Sequence, residues 1–128
     1  MDSQHIFSES PLERKIGFSR ARRIGNLIAV SGTAPVQSDG STAYPGDLYG
    51  QTCFCLDRIL EAIKEAGGNT HYMLRTRLFL KNISQWEEAA KAHGEYFSEI
   101  YPACTFAEVS GFIHPEWLIE IEADCYIP

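Results

Sequence analysis

With 128 residues, 45% hydrophobic and 22% charged, the chain has the size and composition of one globular domain, able to bury one core but not two. No apolar run approaches the roughly 20 residues of a membrane span, and MDSQHIFSES at the start lacks the basic-then-apolar pattern of an export signal, so a cytoplasmic protein with no membrane partner is expected. Asp and Glu number 17 against 11 Lys and Arg, a formal charge of −6 that repels polyanions and speaks against nucleic acid as a partner.

Residues 1–12 are polar and read as a loose arm on a single domain covering 1–128. From Lys15, KIGFSRARRIGNLIAVSGTAP alternates strand-like runs with Gly17, Gly25 and Asn26, which predicts a bent strand and then a hairpin turning at Gly25-Asn26. Val36 to Asp47 is loop by its Gly and Pro content. Between Leu48 and Ala66, Thr52, Cys55, Leu56, Ile59, Leu60 and Ile63 recur at helical spacing, with Asp47 as N-cap and Gly67-Gly68 as terminator. YMLRTRLFLKN has the length of one strand. Ser84 and Glu87 then form a capping-box pattern, opening a helix with Trp86, Ala90, His93, Phe97 and Ile100 on one face and Pro102 as its stop. CTFAEVSGF and WLIEIEADCYI read as two closing strands.

This order, with helices crossing over between strands, predicts an α+β fold: a six-stranded mixed sheet with two helices on one face. The last strand alternates Ile119, Ile121 and Ala123 with Glu120, Glu122 and Asp124, so packing the apolar set under the helices leaves three carboxylates on the uncovered side. Arg75 and Arg77 are placed to face them. That side is either shielded by other subunits or a solvated charged face, and both readings stand at this point.

Cys53, Cys55, Cys104 and Cys125 read as reduced thiols, since a chain this rich in apolar residues needs no disulfide staples. Cys53-Phe54-Cys55 has one intervening residue, too few for a usual zinc knuckle, and no metal site is expected.

RRIGNLIAVSGTAP, Gln51-Thr52, EAGGN (65–69), RTRLFLKN, the PAC of 102–104 and EIEADC together resemble the RidA (YjgF-like) family of reactive-intermediate deaminases, in its order and spacing from Lys15 to the C-terminus. The resemblance implies a chorismate-mutase-like fold in a homotrimer with a central β-barrel, and a small-molecule cleft between subunits. It also implies hydrolysis of 2-iminoacids and their enamine tautomers to 2-ketoacids and ammonia, without cofactor or metal. Such hydrolysis needs a positioned water, a proton shuttle and an anchor for the substrate.

Carried over by position, the family's cleft-capping aromatic falls on Phe18, its Ser-Gly pair on Ser31 and Gly32, its water-holding glutamate on Glu120, and the carbonyl sharing that water on Phe106. An asparagine of the second helix corresponds to Ala90. The arginine that clamps the substrate carboxylate is replaced by Cys104. A thiol supplies neither the charge nor the fork of a guanidinium, a loss of a few kcal/mol or roughly a hundredfold in 2-iminoacid affinity.

Cys104 itself reads first as a pocket-lining residue and second as a reactive thiol. His93 is expected to be a satisfied structural histidine and His114 an exposed turn residue. Glu120 is the best chemical candidate, with an ion pair to Arg75 or Arg77 as its purely structural explanation. Arg14, Lys15, Arg20, Arg22 and Arg23 hold five of the 11 cations, and one of them could reach into the cleft in place of the lost arginine. Two functional classes follow: a hydrolase of an imine or enamine metabolite outside standard 2-iminoacid specificity, or a trimer that binds a small ligand without catalysis. The translation-inhibitor and ribonuclease roles also described for the family would use the basic cluster, and the net negative charge argues against them.

Overall fold

The strand Ile119–Tyr126 buries Ile119, Ile121, Ala123 and Cys125 on one face and leaves Glu120, Glu122 and Asp124 half-buried on the other, as its two-residue alternation requires. The computed structural model describes residues 3–8 and 10–128. In chain order the elements are β1 (Ser3–Ile6), α1 (Pro11–Ile16), β2 (Ala21–Ile24), β3 (Leu27–Thr33), α2 (Leu48–Glu65), β4 (Met73–Leu80), α3 (Trp86–Phe97), β5 (Ala103–Glu108) and β6 (Ile119–Tyr126). They form a six-stranded sheet of order β1-β2-β3-β6-β4-β5. Only β4 and β5 run parallel, and α3 supplies the crossover that a parallel pair needs. The expected α+β fold is the one observed.

α2 lies along the apolar face of the sheet, burying Cys55, Leu56, Ile59 and Ile63 completely. Asp47 caps it, its Oδ1 accepting from the Gly50 N–H at 3.0 Å. Gly67, at φ +88°, ends it in a left-handed turn in which Gly67 N–H donates to Lys64 O and Gly68 N–H to Ile63 O. α2 is fastened to α3 by Tyr96, whose hydroxyl donates to Asp57 at 2.6 Å, and by the Tyr49–Glu95 hydrogen bond.

Three local expectations fail, each to a competing interaction. The loose arm is ordered over residues 3–8 and 10–12: β1 pairs antiparallel with the edge of β2, and Ile6 joins the core. Met1, Asp2 and Glu9, which that expectation also covered, lie outside the described residues. The bent strand expected from Lys15 begins only at Ala21. The preceding residues form the one-and-a-half-turn helix α1, with Ser10 accepting from Leu12 N–H and Glu13 buried, its carboxylate accepting from the N–H and hydroxyl of Ser8. The capping box does not form either, because Asn82 accepts from both the N–H and hydroxyl of Ser84 and draws Ile83–Gln85 into a 3₁₀ turn.

α3 therefore starts at Trp86 and buries Ala89, Ala92 and Phe97, a stripe rotated from the one expected. Trp86 is 48% exposed and lies edge-on to Phe106. His93 hydrogen-bonds Thr76 Oγ1 at 2.8 Å, and burial lowers its pKa. The helix stops at Phe97, short of Pro102, where Phe97 O accepts from the N–H groups of Ile100 and Tyr101.

One buried polar residue ties α2 to the loop that feeds β6. Gln51 is fully enclosed, donating from Nε2 to Tyr44 O and Glu116 O and accepting at Oε1 from Leu118 N–H at 2.8 Å. Gln51→Leu keeps the bulk but takes the side-chain partner from three partly buried backbone groups. Urea unfolding should show a loss of roughly 2–4 kcal/mol, and a loss under about 0.5 kcal/mol would mean the backbone finds other partners.

Candidate functional site

β3 and β6 do not keep step along their length. Val30 sits opposite Ala123 but Thr33 opposite Ile121, so β3 carries one extra residue at Ser31-Gly32. The bulge turns the Gly32 carbonyl toward β2, where it accepts from Arg20 Nη2 at 2.8 Å. A Cβ at Gly32 would lie 3.2 Å from Glu120 Oε1, so glycine leaves room for the carboxyl to lie against the backbone. Gly32 is thus the point where the guanidinium of Arg20, just before β2, and the carboxyl of Glu120, on β6, come together.

Both side chains line a cavity of about 550 Å³, open to solvent, between the sheet, α1, the start of the loop after β3, and α2. Phe18, Leu12 and Trp117 supply apolar wall, and Arg58 of α2 adds a second guanidinium. Burial raises the Glu120 pKa, an effect that the Arg20 charge opposes and the Glu122 charge reinforces. The Arg20 pKa is lowered, chiefly by burial and also by the Arg58 charge, against the support of Glu13. Arg20 Nε is buried and has no hydrogen-bond partner.

Of the sequence-predicted residues, the cavity brings together Phe18, Gly32 and Glu120. Ser31 is not part of its lining: the hydroxyl donates to Ser19 O at 2.6 Å and fastens β3 to the start of β2. Cys104 and Phe106 belong to β5, at the far edge of the sheet, where Cys104 is exposed and Phe106 packs against Trp86 and His93. Within one protomer neither lines the Glu120 cavity.

The structural explanation offered for Glu120 also changes. Arg77 pairs with Glu122 and Asp124, each at 3.3 Å, and Glu120 makes no ion pair among the described residues.

The basic cluster divides its work. Arg14 lies 4.1 Å over the Phe7 ring, Arg22 donates to Ser3 Oγ, and Arg23 donates to Ala66 O at the end of α2. Only Arg20 enters the cavity. Its signal in the sequence was its position two residues beyond Phe18. Arg58 had none, since it flanks the apolar stripe of α2 as a surface residue would.

The family model described as Endoribonuclease L-PSP matches residues 9–127. The chain belongs to this family, the YjgF/RutC or Rid proteins. A YjgF/YER057c/UK114 family member from Mycobacterium tuberculosis has a similar structure, with a TM-score of 0.89 and 36% identity over 98% of this chain and 100% of that one. A RutC family protein of Pyrococcus abyssi is 29% identical over 98% of both chains. The 3-aminoacrylate deaminase RutC of Acinetobacter baylyi is 28% identical over 84% of each. The Rid fold expected from the sequence is therefore present, and no helix is long and apolar enough to cross a membrane among the described residues.

The raised pKa of Glu120 has a consequence for stability. A carboxyl whose native pKa lies above its unfolded value binds its proton more tightly when folded, so its contribution is full at low pH and is lost as pH rises through the native value. Glu120→Gln should melt at a higher temperature than the parent at neutral pH. That advantage should shrink to nothing as pH falls to about 4, near the ordinary carboxylate range. An advantage constant across the pH series would assign it to packing instead.

Proposed function

We propose that this Rid protein hydrolyses the C=N bond of a small imine, or of the imine formed from an enamine, with Glu120 as the proton-transfer group. The supporting observation is the placement of the Glu120 carboxyl, half-buried, without an ion pair among the described residues and raised in pKa, at the wall of a solvent-connected cavity. A carboxyl in that condition binds its proton more tightly than an exposed one and can both take and return a proton.

In the reaction, a water held by Glu120 adds its oxygen to the imine carbon while the carboxylate takes the proton. Glu120 then returns that proton to nitrogen. Glu120 next takes the remaining hydroxyl proton and passes it to the amino nitrogen, so that the carbonyl forms as the C–N bond breaks and ammonia leaves. An enamine is first protonated on carbon. The named activity of the Acinetobacter baylyi relative, a 3-aminoacrylate deaminase, belongs to this reaction class and supports the reading.

The working form in this proposal is a homotrimer whose sheets close a central barrel. The uncovered sheet face, bearing Leu27 and Tyr126 as exposed apolar residues beside the Arg77–Glu122–Asp124 ion pairs, suits contact with other copies. Such an assembly would also bring Cys104 and Phe106 of one copy to the cleft of its neighbour, which a lone protomer does not do. Sedimentation equilibrium should return three times the chain mass, and a monomer mass would remove the shared cleft.

Ammonia release from 2-aminoacrylate and 2-iminobutanoate tests the chemistry. Glu120→Gln should reduce the rate by about 10²–10⁴-fold, the span usual for a general acid-base group. Undiminished turnover in that variant would overturn the mechanism. The replacement of the family's arginine by Cys104 favours the second reading, ligand binding without chemistry. Turnover gained only in Cys104→Arg would support that reading for the parent.

A further inference from the structure

We propose that Arg20 and Arg58 form a carboxylate clamp on the β2–α2 side of the cavity, so that the ligand is an organic acid with its anionic group there and an apolar body along Phe18, Leu12 and Trp117. This extends the hydrolase reading by naming what holds the substrate and from which side. The clamp stands on different elements from the β5 position where Cys104 replaces the arginine.

Three observations carry it. The first is the unpartnered Nε of Arg20, the single buried side-chain nitrogen or oxygen without a hydrogen-bond partner among the described residues. Buried donors of a charged group are normally satisfied, and Nε finds no acceptor among the described residues, so a guanidinium that lines the cavity keeps donor capacity unused by the protein. The second is orientation. Nη2 of the same guanidinium is held by Gly32 O at 2.8 Å, so the fork is set before a ligand arrives, which lowers the entropic cost of binding.

The third is charge. Arg20 and Arg58 line one cavity, and the Arg58 charge disfavours that of Arg20. Neither has a carboxylate within ion-pair distance among the described residues, where only Arg77 forms such pairs. The buried Glu13 supports the Arg20 charge from a distance but makes no ion pair with it among the described residues, its oxygens accepting from Ser8 instead. Glu61 and Glu65 also line the cavity but are exposed on α2, without an ion pair to either guanidinium. A ligand carboxylate would relieve both the open donor and the like-charge repulsion.

The polarity of the site gives the ligand a direction. Glu120 from β6 and Arg20 from the residue before β2 approach the same residue, Gly32. A carboxylate on Arg20 therefore leaves a neighbouring imine or carbonyl carbon on the Glu120 side. A cavity of about 550 Å³ has space beyond a three-carbon acid, and its aromatic and aliphatic wall suits a branched or aromatic side chain.

The test is binding of a product-like acid, which does not depend on turnover. 4-Methyl-2-oxopentanoate and its methyl ester are titrated into the parent, Arg20→Met, Arg20→Lys and Arg58→Met by calorimetry. The ¹⁵Nε–¹Hε signal of Arg20 is followed in the parent by NMR. The acid should bind the parent at least tenfold more tightly than the ester does. Arg20→Met should abolish that preference, Arg20→Lys should keep part of it, and Arg58→Met should weaken it severalfold. The Arg20 Nε signal should move with the acid and not with the ester, a readout that stands even if an Arg20 variant fails to fold.

Equal binding of acid and ester to the parent, or an Arg20 signal unmoved by the acid, would overturn the clamp. Ammonia release that depends on Glu120 with no acid preference leaves the hydrolase reading standing and removes the clamp. An Arg20-dependent acid preference without ammonia release does the reverse.

Discussion

Between Val30 and Thr33 the two central strands fall out of step by one residue, and the candidate site is built on that offset. A regular ladder would send alternate side chains of β3 to fixed faces and keep its carbonyls on its neighbours. The extra residue frees the Gly32 carbonyl to hold Arg20 and opens a gap against which Glu120 rests. A side chain at Gly32 would press on the carboxyl and alter both contacts. The bulge thus links a strand-pairing irregularity to the meeting of opposite charges from β6 and from the residue that precedes β2.

That meeting is electrostatically unrelaxed. Burial works against the charge of both Glu120 and Arg20, and their mutual attraction offsets only part of this. On the same sheet, Arg77 shows the relaxed alternative, with two carboxylates at 3.3 Å. A site kept short of such pairing retains an ionisable acid and a guanidinium with an unpartnered Nε, at some expense in stability.

The rest of the domain holds these groups still. α2 carries Arg58 and lines the cavity, while its buried Gln51 fastens the loop that delivers Trp117 and Glu120. The N-terminal segment closes another side: β1 extends the sheet, and α1 sets Leu12 in the wall and buries Glu13 near Arg20. A segment that looks merely polar in sequence is part of the enclosure, because the open edge of β2 offers its backbone a ladder.

Period-two alternation in β6, the helical stripe and caps of α2, and the hairpin at Gly25-Asn26 were legible because each depends on residues close in the chain. So were Phe18, Gly32 and Glu120 as cavity residues, through the family resemblance. The start of α3 was misread for a local reason, since Asn82 competes with Glu87 for Ser84. The choice of Arg20 from a cluster of five cations, the arrival of Arg58 from α2, and the distance of Cys104 from Glu120 were decided only in three dimensions. Local pattern determines which face a side chain takes. Which faces meet, and which donor is left open there, depends on strand order and the register between β3 and β6, and these are set by contacts far apart in sequence.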